Sequence, residues 1–160
     1  MSLGGGGGGG GQQQLQQLSQ ELQAIDEEIE ELEADIEDLE TEQSEIDEAI
    51  EAIETLESGS TVQVPLGGGA YLRAEVQDID EVIVGLGGGY AAEQPQDDAI
   101  DALENKQDLL DDQIETVEEQ IDELEAESDE IEQQAQQLQQ QMQQQQMQQM
   151  QQMQQADDDE

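Results

Sequence analysis

The chain has no Cys, His, Trp or Phe, only two Tyr and two Pro, and just two cationic side chains among 160 residues. Without Cys there are no disulfides and no thiolate metal sites. Without Cys and His, the commonest nucleophiles, general bases and transition-metal ligands are missing. Carboxylates occur throughout, so no pair stands apart as acid and base, and dividing those roles would need a desolvated cleft. The chain is therefore expected to be no enzyme and to carry no cofactor or metal. Aromatic residues make up 1% of it, which argues against a compact globule, since large rings dominate the burial in such cores.

The missing positive charge excludes partners as well. Arg73 and Lys106 stand against 44 acidic residues, for a formal net charge of −42. Nucleic-acid binding through phosphate neutralisation needs clustered Lys and Arg, and an anionic membrane surface repels such a chain. Low hydrophobicity with high net charge is also the composition of disorder, but the periodicity below overrides that reading for most of the chain. The acidity is read as adaptation to concentrated salt. At ~1 M salt the Debye length falls to about 3 Å, so carboxylates one helical turn apart scarcely repel. No apolar run approaches the ~20 residues that cross a bilayer. Met1, Ser2, Leu3 and the glycines from Gly4 to Gly11 lack the basic start and apolar core of a signal peptide, so a cytoplasmic location is expected.

What is present is a heptad. From Leu15 the apolar residues fall at Leu15, Leu18, Leu22, Ile25, Ile29, Leu32, Ile36, Leu39, Ile46, Ile50 and Ile53, in steps of three and four, with Gln43 in the one gap. The spacing resumes at Ile100, Leu103, Leu110, Ile114, Val117, Ile121, Leu124, Ile131, Ala135, Leu138 and Met142, with Gln107 and Ser128 as exceptions. Sustained over five heptads, this predicts coiled-coil helices over 12–57 and 97–142. The first would run ~70 Å at 1.5 Å per residue. Only about forty residues join them, so they are expected side by side and antiparallel. If facing positions sum to about 150–154, Gln43 lies opposite Gln107, and Ser128 opposite Leu22 or Ile25. A Gln–Gln layer would set register at some cost in stability; the alternative is that Gln43 is merely tolerated near the end of the coil.

Between the helices, residues 58–96 change to period two. Ser58, Gly59 and Ser60 stop the first helix. Val62, Val64 and Leu66, then Leu72, Ala74 and Val76, then Val82, Val84 and Leu86 alternate with other residues as short strands do. The stretch repeats itself: Val64-Pro65-Leu66-Gly67-Gly68-Gly69 returns twenty residues later as Val84-Gly85-Leu86-Gly87-Gly88-Gly89, and a Tyr follows each. Each triple glycine joins two candidate strands, which makes two β-hairpins. A phosphate-binding loop is the weaker reading, because neither run ends in Lys-Ser/Thr or precedes a helix. Two hairpins alone cannot bury their apolar faces, so Val62, Val64, Leu66, Leu72, Val76, Val82, Val84 and Leu86 are expected to oligomerise. Pro95 ends the segment, and Asp97 or Asp98 can cap the second helix.

Outside these elements lie a glycine tail, 1–11, expected to be flexible, and a Gln/Met-rich segment closing in acidic residues, 143–160. Met147, Met150 and Met153 leave the heptad that ends at Met142. Their thioethers suit promiscuous apolar contacts. Leu15, Leu18, Leu138, Met142, Met147, Met150 and Met153 are therefore candidates for contacting unfolded chains at the tip of the coil. A disordered tail is the other reading of the segment, and the two can coexist.

A coil, two hairpins turning on Val-Pro-Leu-Gly-Gly-Gly and Val-Gly-Leu-Gly-Gly-Gly-Tyr-Ala, and a second coil together resemble the archaeal prefoldin α subunits, here of a halophilic type. The resemblance covers 12–145 and is most specific from Val62 to Glu93, where the count of two hairpins separates the α from the β type. It implies a mainly α fold, a long antiparallel two-helix coiled coil with two central β-hairpins that assemble into an inter-subunit β-barrel. It also implies a hetero-hexamer of two α and four β subunits, whose coiled-coil tips hold unfolded proteins without ATP and pass them to a group II chaperonin. A tethering coiled coil, assembled through the same hairpins but without chaperone activity, is the alternative from a different class. Suppression of client aggregation would discriminate the two.

Overall fold

The fold was analysed in a computed structural model, which describes residues 9–157. The order of elements is α1 (Gly9–Thr55), β1 (Thr61–Gly67), β2 (Ala70–Glu75), β3 (Val82–Gly87), β4 (Tyr90–Gln94) and α2 (Gln96–Asp157). The chain divides into two compact units, one from the stretch up to Ala34 together with that from Val117 on, the other from Asp35–Thr116.

In the first unit the early part of α1 and the later part of α2 form a two-helix coil. Leu15, Leu18, Leu22, Ile29 and Leu32 of α1 are half-buried and Ile25 is buried; on α2, Val117, Ile121, Leu124, Ser128, Ala135, Leu138 and Met142 are half-buried and Ile131 is buried. The pairing is antiparallel, since Gly11 lies against Met142 while Leu32 shares a groove with Leu124. A two-helix seam leaves one flank of each side chain open, so a seam Leu or Ile contributes part of the ~1.5–3 kcal/mol that full burial would.

Both helix ends differ from the sequence expectation. α1 begins at Gly9 rather than 12, and α2 continues to Asp157 rather than stopping at 142. Glycine is a poor helix former, but a Cβ on Gly11 would lie 2.9 Å from the Met142 Sδ. Packing of α2 against that bare backbone favours the helix at Gly11, while Gly9 and Gly10 meet no neighbour. At the other end, Gln and Met are good helix formers, and no Gly or Pro follows Pro95 to stop the helix. The remaining glycine-tail positions, 1–8, and the acidic residues 158–160 lie outside the described residues.

In the second unit the later part of α1 and the first turns of α2 flank the hairpins. Ile46 and Leu110 are buried in the seam and Ala99 is fully buried. Gln43 and Gln107 form a reciprocal polar layer: Gln43 Nε2 donates to an Asp111 carboxylate oxygen and Gln107 Nε2 to one of Asp47. Gln107 also reaches the Gln43 main-chain oxygen at 3.5 Å. Beside the layer, Lys106 pairs with Glu42 at 2.8 Å. α1 ends at Thr55, and Gln96 donates to the Ile53 carbonyl at 2.6 Å, satisfying an acceptor that the last turn leaves open.

Asp97 and Asp98 do not cap α2. The helix starts one residue earlier, with the Ala99 N–H donating to the Pro95 carbonyl at 2.9 Å, and both aspartates lie inside the first turn. Their charge there complements the positive end of the helix dipole.

The strands form two separate two-stranded antiparallel sheets, β1–β2 and β3–β4. Each has the same irregularity, between Pro65 and Gly67 and between Gly85 and Gly87. Each turns on three left-handed glycines, with φ of 96°, 59° and 80° at Gly67 to Gly69 and 90°, 62° and 81° at Gly87 to Gly89. Positive φ at both central residues is the hairpin turn that follows the natural twist of the strands, and only glycine takes it without strain. Val76 lies one residue past β2, but it exchanges main-chain bonds with Gly59 and Ser60 at 2.7 and 2.8 Å, tying the hairpin's open end to the linker.

Candidate functional site

Two kinds of surface stand out once the elements are placed. The first is the pair of hairpins. Val62 lies opposite Ala74 and Val64 opposite Leu72; twenty residues on, Val82 lies opposite Gln94 and Val84 opposite Ala92. Alternation along a strand puts these residues on one face of each sheet. Of the predicted oligomerising residues, Val62, Val64 and Leu72 thereby share a face of the first sheet and Val82 and Val84 a face of the second, while Leu66 and Leu86 sit at the irregularity beside each turn and Val76 lies past β2; they are unequally covered. Val84 is 6% exposed, whereas Val64 is 41%, Leu66 64%, Leu72 55% and Leu86 57% exposed. Val62, Val76 and Val82 are half-buried. Large aliphatic side chains left bare on two-stranded sheets, which also have open edges, are a ready template for another chain.

The opposite faces hold apolar residues that the period-two reading set aside. Tyr71, directly across from Pro65, is exposed, as is Ile83, across from Glu93. Reading the odd-numbered positions as a second face would have found them. Tyr90 is not the counterpart of Tyr71: it pairs with Gly87 as Ala70 pairs with Gly67, one place nearer the turn.

The second surface belongs to the first unit. Leu15, Leu18, Leu138 and Met142, all predicted to meet unfolded chains, are half-buried seam residues. Leu18 and Leu138 line a shallow groove with Gln14, Gln17, Glu21 and Gln134. Beyond Met142 every residue from Gln143 to Ala156 is exposed, and Met147, Met150 and Met153 are among the most open large apolar side chains. At 3.6 residues per turn these three and Met142 fall within an arc of about 140°, so they form one face of the bare helix rather than a scatter.

The described residues contain no helix long and apolar enough to cross a membrane, and no cluster of three or more acidic side chains placed to hold a metal ion.

These features define a class: an antiparallel two-helix coil carrying two β-hairpins between its helices, apolar on the hairpin faces and along the bare end of the second helix. A family model described as "Prefoldin subunit" matches residues 25–146, most of the chain, and the chain belongs to the prefoldin family. It is similar to the prefoldin subunit alpha of Halorubrum lacusprofundi, 79% identical over 95 residues that make up 59% of this chain and 62% of the relative. It is likewise similar to that of Halobacterium salinarum, 72% identical over 107 residues, 67% of each chain. The chain thus spans somewhat under two thirds of the length of the first of these relatives. Among solved structures, filamentous PFD from Methanocaldococcus jannaschii aligns with 74% of this chain and 95% of its own, at 25% identity and a TM-score of 0.49.

Proposed function

We propose that the chain is the α-type subunit of an ATP-independent holdase, which binds unfolded proteins at the ends of its coils and passes them to a group II chaperonin. Membership of the prefoldin family supports a chaperone role, and the likeness to alpha subunits of halophilic archaea supports the α type. In this reading the even-numbered hairpin faces meet β-type subunits in a hexamer of two α and four β. The setting is a salt-filled cytoplasm, which a formal charge of −42 suits.

The observation that carries the client-binding part is the methionine face of α2, where Met147, Met150 and Met153 stand 62–75% exposed on a stretch of helix that nothing among the described residues covers. An unfolded protein offers varied apolar segments, and flexible, polarizable thioethers adapt to them better than branched side chains do. The flanking glutamines are uncharged, so concentrated salt changes their interactions little, while it strengthens apolar contact. Leu15, Leu18, Leu138 and Met142 add to the surface where the end of the coil opens. No reaction is assigned to the chain.

The test is light scattering from a denatured client diluted into complexes that carry the wild-type chain, a chain lacking residues 143–160, or one with Met147, Met150 and Met153 changed to Gln. Both variants should protect the client less well while assembling normally. Equal protection would move client contact to the partner subunits or to the seam.

A further inference from the structure

Without Cys, the only sulfur in the chain is in methionine, at Met1, Met142, Met147, Met150 and Met153. Thiol-based redox control is closed to it, and oxidant chemistry falls to the thioethers. Met1 lies outside the described residues. The other four fall within about three turns of α2, yet in two different settings.

Met142 is shielded. It is half-buried in the seam, and its Sδ, Cγ and Cε come within 2.9, 3.2 and 3.5 Å of where a Cβ on Gly11 would stand. The bare glycine thus lets the sulfur lie flush on the backbone of α1. Met147, Met150 and Met153 have no such cover and stand 62%, 67% and 75% exposed. From Gln143 to Gln155 every residue other than these three is glutamine. An oxidant must reach a sulfur lone pair, so exposure sorts the three outer thioethers from the inner one.

We infer that Met147, Met150 and Met153 form a reversible oxidation site, through which peroxides switch off the client face while the seam at Met142 is spared. The inference rests on the reading of that face as the client site. In the forward step a lone pair on Sδ attacks one oxygen of the peroxide. An S–O bond forms as the O–O bond breaks, and sulfur gives up two electrons. The hydroxide released takes the proton of the transferred oxygen and leaves as water. In the reverse step a dithiol supplies two electrons and two protons, and the oxygen leaves as water.

The sulfoxide is polar and chiral where the thioether was apolar. Its oxygen sits on the δ atom, the position at which the flanking glutamines carry Oε1. Three sulfoxides therefore erase the contrast between the apolar face and its surroundings, and unfolded chains lose the thioethers that adapt to them. The seam keeps its apolar Met142, so the coil and the assembly survive the switch.

The test treats the chain with hydrogen peroxide in molar potassium chloride, removes the excess with catalase, and assembles the chain with untreated partner subunits. Peptide mass mapping should find one added oxygen on each of the three exposed Met, gained about fivefold or more faster than on Met142. Helicity and the mass of the complex should be unchanged. Protection of a denatured client, read by light scattering, should fall to the level of a chain with Met147, Met150 and Met153 changed to Gln. Methionine sulfoxide reductases for both sulfur epimers, with dithiothreitol, should restore it. Changing the same three to Leu keeps an apolar face that peroxide leaves intact, so that chain should protect equally before and after treatment. Oxidation of Met142 as fast as the others, a loss that reduction does not reverse, or loss of protection by the treated Leu variant would each overturn the proposal. If the Gln variant fails to protect while oxidised wild type protects fully, the switch falls and the client face stands. If both protect fully, both fall.

Discussion

Gln107 reaches across the coil to Gln43, its side-chain nitrogen 3.5 Å from the Gln43 main-chain oxygen, in a seam otherwise lined by Leu, Ile and small residues. The two residues mirror each other, each donating to an aspartate four places along the opposite helix from its partner glutamine, Asp111 and Asp47. Such bonds hold only in one alignment. A slip by one heptad would put each amide against Leu or Ile, where an unsatisfied polar group costs about 1–3 kcal/mol.

Changing Gln43 and Gln107 together to Leu should therefore raise stability by about 1–2 kcal/mol, through added apolar burial, and relax the alignment. Urea unfolding measures the first effect. The second is read by placing cysteines at Glu42 and Lys106 and comparing disulfide yield in the two backgrounds. A yield unchanged by the double substitution would show that the hairpins alone set the register.

The unequal cover of Val64 and Val84 separates assembly from folding. Val84→Asp puts a carboxylate at a site 6% exposed and should destabilise the isolated chain by about 2–4 kcal/mol. Val64→Asp, at 41% exposure, should cost the isolated chain under about 1 kcal/mol yet block assembly. Thermal unfolding followed by circular dichroism, with size-exclusion chromatography beside it, distinguishes the two effects.

The turns predict a contrast among glycines. Gly68→Ala and Gly88→Ala force an L side chain to φ near 60° and should each weaken their hairpin by about 1–2 kcal/mol. Gly85→Ala faces open space without a left-handed φ and should be neutral or slightly favourable. Amide hydrogen exchange along β1–β2 and β3–β4 reports each hairpin separately, and helix signals should be unchanged throughout.

Salt should decide whether the coil forms. Exposed carboxylates a turn apart repel by up to about 1 kcal/mol per pair in water before screening, and net stabilities are only about 5–15 kcal/mol. Against 44 acidic residues the two cations offer little relief; the Lys106–Glu42 pair is nearly half exposed and is worth under about 1 kcal/mol. Helicity by circular dichroism should be full in molar potassium chloride and largely lost in dilute buffer. Full helicity at tens of millimolar salt would contradict the adaptation to salt.

Most of the architecture was legible because it rests on short-range periodicity. Steps of three and four place Leu15 through Ile53 on one stripe of a helix whatever surrounds it, and left-handed glycines at 67–69 and 87–89 leave a hairpin as the natural outcome. The facing of Gln43 and Gln107 followed as well, because a short connection between two seams allows few alignments. Tertiary structure decided what depends on a neighbour. Gly11 packs against Met142 within a helix that starts at Gly9, which no local preference would suggest. Val84 is covered while Val64, its twin in the repeat, is bare, though the two stand in nearly the same local sequence.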